Sequence, residues 1–116
     1  MDVTLDPPPA PSPPLAEMAD KAALAAQFLR SLAHDARLLV LCALVEAGEA
    51  PAGRLVEVSG LSQSALSQHL AVLRDQGLVR TRREGTSVIY AIADPRVIAL
   101  LTTLHALFCA PETEAP

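Results

Sequence analysis

The sequence predicts a mainly α-helical fold with a β-hairpin wing, a winged helix-turn-helix. Three observations lead there. Apolar residues recur at helical spacing along most of the chain, a helix-glycine-helix passage surrounds Gly60 and Leu61, and residues 78–92 switch to β-prone runs. With 116 residues the chain has room for one core and no separate catalytic lobe.

Residues 7–14 hold six prolines in eight positions, which forbids helix and sheet ladders, so residues 1–14 are expected to be a disordered arm. Leu15 to Leu32 is rich in alanine and leucine and predicts a first helix, with Leu24, Phe28 and Leu32 four residues apart and in need of a partner surface. From Asp35 to Ala47 the run Leu38 to Val45 is apolar nearly all round, which predicts a helix buried on most sides and ended by Gly48. A loop carrying Pro51 follows, then a short helix over 53–59, the Gly60-Leu61 turn, and a helix over 62–76 stopped by Gly77. Leu78 to Arg83 and Ser87 to Ile92 form a hairpin around Glu84-Gly85-Thr86. Asp94 suits an N-cap and Pro95 the first position of a last helix reaching Cys109. The folded domain is thus expected over 15–110, with 111–116 a disordered tail.

Charge narrows the function classes. The net charge is −4, yet residues 53–96 hold six arginines against four acids. The basic part is the middle of the chain, and a local field follows distribution rather than sum. Two cysteines 67 positions apart are too few for a secreted disulfide scaffold. The N-terminus is acidic where a signal peptide is basic, and the uncharged stretch from Val97 to Pro111 is too short to span a membrane. A cytoplasmic protein with no membrane partner is expected. No glycine-rich phosphate loop or Ser/His/Asp set is present, so the reading is not an enzyme, with no cofactor.

On the helix over 62–76, Leu66, Leu70 and Leu73 fall within about 60° of one another and form the buried face. Ser64, Gln68, Ala71 and Asp75 then lie opposite, with Ser67 to one side. Together with Gln63 they make an outward surface of small and hydrogen-bonding residues, suited to base edges and phosphates in a major groove. His69 sits at the border, either a phosphate contact or a satisfied structural histidine. At the hairpin tip, Arg82, Arg83, Thr86 and Ser87 combine cations and hydroxyls that suit a phosphate backbone or a minor groove. Either feature alone is an ordinary polar surface; together, in this order, they point to double-stranded DNA.

The stretches Leu32-Ala33-His34-Asp35-Ala36-Arg37-Leu38, Leu61 to Leu73 and Gly77-Leu78-Val79 resemble the ArsR family of bacterial repressors. The resemblance covers about residues 20–109. It implies a homodimer held by the first and last helices that binds an imperfectly two-fold operator and lets go when an inducer binds. The last helix supports a dimer on its own, because Val97, Leu101, Leu104 and Phe108, flanked by Leu100 and Leu107, make a wide apolar face that needs a cover.

The family's metal sites are broken here, so no metal is expected. Residues 53–59 carry no cysteine, Arg96 stands where the last helix needs a histidine, and Leu107 stands where it needs another. Two thiols remain. Cys42 lies within the helix expected to be buried and Cys109 near the end of the last helix, one turn beyond His105, and two inert core cysteines are the default reading. One cysteine in the core helix and one at the end of the last resembles the sulfide- and persulfide-responsive SqrR/BigR branch of the family. That resemblance implies that Cys42 and Cys109 form a sulfur-sensing dithiol, with reactive sulfur species as inducer. The alternatives are a general thiol-disulfide switch using the same residues, and a winged-helix dimer with inert cysteines.

Overall fold

The computed structural model describes residues 14–109, so the arm expected over 1–14, apart from Pro14, and the tail lie outside the described residues. The elements run α1 (Leu15–Leu32), α2 (Asp35–Ala47), β1 (Glu49–Pro51), α3 (Ala52–Ser59), α4 (Gln63–Asp75), β2 (Val79–Glu84), β3 (Ser87–Ile92) and α5 (Pro95–Phe108). This is a winged helix-turn-helix. The three strands form one antiparallel sheet in the order β1-β3-β2.

Local chemistry sets most boundaries. The Ser62 hydroxyl accepts the Ala65 N–H at 3.1 Å, so Ser62 caps α4 from outside the helix. At the other end, Gly77 N–H donates to Arg74 O and Leu78 N–H to Leu73 O, the paired bonds of a Schellman cap that needs a left-handed glycine. Leu78 continues from that cap into the core, where it is buried. Asp94 caps α5 by accepting the Arg96 N–H at 2.9 Å, and Arg96 closes back on the same carboxylate. The Arg96 side chain thereby holds the Asp94 carboxyl below its usual range.

The helix ends shift by a residue, and the sheet differs from expectation in two larger ways. Glu84 belongs to β2 and pairs with Ser87, which leaves a two-residue turn with Gly85 at φ +64° in its first position. The loop around Pro51 is instead a short third strand, with Ala50 opposite Tyr90 in register. A three-residue edge strand ending in proline has no periodicity to betray it; only the partner strand creates it.

The core lies where α2, α3, α4 and the sheet meet. Leu41, Leu44, Leu55, Leu66, Leu73 and Leu78 are fully buried there, each stabilising the fold by about 1.5–3 kcal/mol. From α5, Val97 and Leu101 join this core, with Leu100 and Leu104 packed against its edge. Much of the apolar face expected to seek another chain is therefore covered within this one. What stays open is Ile98 on the side of α5 and Leu107 and Phe108 at its end. From α1, Leu32 is buried and Phe28 packs on the core beneath the Arg96 guanidinium, 4.8 Å from its ring centre. Farther up α1, Leu15 and Leu24 face solvent.

Candidate nucleic-acid surface and thiol pair

Helix α4 presents the two faces that its spacing demands. Leu66, Leu70 and Leu73 are buried, while Gln63, Ser64, Ser67 and Gln68 are all exposed on one polar surface. Ala71 is half-buried rather than fully outward. The reach of this surface is therefore concentrated in the first two turns of α4.

His69 has a defined structural role. Its Nδ1 accepts a hydrogen bond from Arg37 Nε at 3.1 Å, and its ring lies 4.1 Å from the ring of His34. His34 in turn accepts the Ala36 N–H through its own Nδ1 at 3.0 Å, capping α2. Arg37 also donates to Ser31 O at 3.1 Å. One cluster thus ties the end of α1, the start of α2 and the middle of α4. Because its Nδ1 is spent as an acceptor, the His69 ring is neutral in this arrangement. Burial, with the neighbouring His34 and Arg37, pushes the His69 pKa down.

At the wing, Arg82, Arg83, Thr86 and Ser87 are all exposed, but the two arginines differ. Arg82 bridges Glu49 of β1 at 2.6 Å and Glu84 of β2 at 2.8 Å. Its charge is matched within the chain, which the sequence does not reveal because Glu49 lies 33 positions away. Arg83 makes no ion pair among the described residues, and neither does Arg80 at the base of the wing, which donates to Ile92 O at 2.8 Å.

Cys42 corrects an expectation. Helix α2 is buried through Ala36, Val40, Leu41 and Leu44, but Cys42 and Leu39 on its other side are exposed along an open cavity that Thr102 and His105 of α5 also line. Cys109 is exposed as well, at the end of α5, where its N–H donates to His105 O at 2.8 Å. Neither thiol is a core residue, so the premise of buried inert cysteines fails. Burial raises the Cys42 pKa, and the charge of Cys109 raises it further. No group of three or more metal-ligating side chains occurs among the described residues.

Residues 34–81 match the model of the bacterial regulatory protein arsR family. The chain is 42% identical over 99 residues to the biofilm growth-associated repressor of Agrobacterium fabrum, covering 85% of this chain and 84% of that protein. The chain belongs to the arsR family. Among solved structures it is similar to the transcriptional repressor BigR from Xylella fastidiosa (TM-score 0.78, 37% identity, 84% of this chain and 99% of that one). It is similar also to reduced HlyU from Vibrio cholerae (TM-score 0.75, 44% identity, 80% of this chain and 97% of that one). The family model ends within β2, so it takes in the His34 cluster and α4, while Arg82 and Cys109 lie beyond it. This regulator is a DNA-binding transcription factor, and among the described residues no helix is long and apolar enough to cross a membrane.

Proposed function

We propose that this regulator is a homodimeric repressor of double-stranded operator DNA that lets go when sulfur bridges Cys42 to Cys109. The observation that carries the reading is the thiol pair itself: two exposed cysteines, Cys42 on α2 and Cys109 at the end of α5, with the charge of Cys109 raising the Cys42 pKa. The polar start of α4, through Gln63, Ser64, Ser67 and Gln68, enters the major groove, and the wing, through Arg83, Thr86 and Ser87, rests on the backbone. His69 positions α4 through Arg37 rather than serving chiefly as a phosphate ligand.

The chemistry balances for an organic trisulfide donor. The Cys109 thiolate, at the open end of α5, attacks the central sulfur and expels one organic thiolate. The Cys42 thiolate then attacks the sulfur now next to Cys109, forms the trisulfide bridge and expels the second. The protein pair loses two electrons and the donor gains them. The bridge ties α2, which carries the core, to α5 and alters how two reading heads are spaced.

A plain disulfide switch is the second reading, favoured by the similarity to a relative whose structure is described as reduced. Intact-mass measurement of the reduced regulator separates the two. Gain of one sulfur and loss of two hydrogens with a trisulfide, and little change with peroxide, is expected; loss of two hydrogens alone under both reagents overturns sulfur sensing in favour of the disulfide. Cys42→Ser and Cys109→Ser are each expected to bind operator DNA as the parent does and to ignore the donor. Loss of DNA binding in both variants would make the cysteines structural.

A further inference from the structure

Beside Cys42 a cavity of about 520 Å³ opens between α2, α3 and α5. Its walls are Leu39, Ala43, Val45, Val58 and Leu101, with Thr102 and His105 along α5. That volume lies in the range of about 300–1,000 Å³ typical of small-molecule sites. Of the two charged side chains at its edge, Arg54 is paired with Glu57 at 3.4 Å, whereas Glu46 makes no ion pair among the described residues. The uncompensated charge at the rim is therefore negative. No residue of α1 lines the cavity, so it stands apart from the exposed Leu15 and Leu24.

Resting on the sulfur-sensing reading, we infer that this cavity seats the apolar organic arm of the sulfur donor, so that the regulator selects uncharged, alkyl-substituted polysulfides over hydrophilic anionic ones. Geometry and charge argue together. Cys42 is part of the cavity wall and so is His105, one turn before Cys109, so a donor arm lying in the cavity puts its sulfur chain against Cys42 on the side of α5 that leads to Cys109. The arm held there belongs to the second leaving group, still attached after Cys109 has attacked, and its burial holds that intermediate for Cys42. A small dialkyl trisulfide fits the volume and gains by leaving water. A glutathione arm carries two carboxylates and an ammonium, which lose hydration against apolar walls and meet the Glu46 carboxylate.

The test compares dipropyl trisulfide with glutathione trisulfide on the full-length regulator. Bridge formation is followed by intact mass, and each rate is divided by that of the same reagent with N-acetylcysteine. The expected result is a preference for dipropyl trisulfide of roughly tenfold or more, reduced toward unity in Val58→Phe, which fills the cavity. Glu46→Gln, an exposed substitution that leaves the core alone, is expected to speed glutathione trisulfide by about threefold and leave dipropyl trisulfide unchanged. Equal normalised rates in the parent overturn the inference while leaving sulfur sensing intact; no bridge with either reagent overturns the sensing reading itself. If Val58→Phe instead dissociates a dimer, a second copy of the chain occupies the cavity and the inference falls.

Discussion

At the scale of single residues, the side chains whose roles changed most are those with partners far along the chain. Arg82 is held by Glu49 and Glu84, so a wing arginine that resembles a DNA contact spends its charge on the fold. Glu49→Gln is expected to release it: operator affinity rises, and the plot of log affinity against log salt steepens by up to about 0.9, the increment of one further phosphate contact. Arg83→Ala is expected to flatten the same plot by a similar amount. Fluorescence anisotropy over a salt series measures both, and an unchanged slope in Glu49→Gln would leave Arg82 a purely structural residue. His69 titrates with a sign set by its lowered pKa. Below the ordinary histidine value of 6.5 the unfolded chain takes up a proton that the folded His69 resists, so stability falls as pH drops from 6.5 toward the lowered folded value. In His69→Asn, which keeps an acceptor for Arg37 but does not titrate, that part of the acid sensitivity is expected to vanish from thermal melts at about pH 7 and pH 5.

At the scale of elements, the link between α3 and α4 depends on one backbone conformation. Gly60 sits at φ +73° in the left-handed region, and the space where a Cβ would stand is open. The penalty for a side chain there is purely conformational. Gly60→Ala is expected to cost about 1 kcal/mol in chemical denaturation, and Gly60→Asn less, since asparagine tolerates this region. A loss in the alanine variant no larger than that of an exposed helix substitution would show that the turn rearranges. The cluster of His34, Arg37 and His69 does the complementary work from the other side of α4, fixing the angle at which the polar surface of Gln63, Ser64, Ser67 and Gln68 is presented.

At the scale of the whole molecule, the exposed apolar residues gather on α1 and α5. Leu15 and Leu24 on α1, and Leu107 and Phe108 at the end of α5, are each more than half exposed in the single chain. Monomeric proteins seldom leave such residues grouped in water. Leu24→Glu combined with Phe108→Glu is expected to give a monomer by analytical ultracentrifugation and to weaken operator binding at least about 100-fold, since two half-sites are no longer engaged together. A dimer that survives both charges would place the seam elsewhere.

The sequence by itself determined the order and type of nearly every element, the capping at Asp94, the glycine stops, and the leucines of α4 that face the core. These depend on contacts within a turn or two, where spacing and side-chain chemistry are sufficient. The tertiary structure decided what depends on distant partners. It created β1, which exists only because Ala50 lies opposite Tyr90, and it matched Arg82 with Glu49. It joined His69 to Arg37 across 32 positions. It also exposed Cys42, because an apolar run becomes a core only on the sides where another element packs, and on the Cys42 side of α2 the chain leaves a cavity instead.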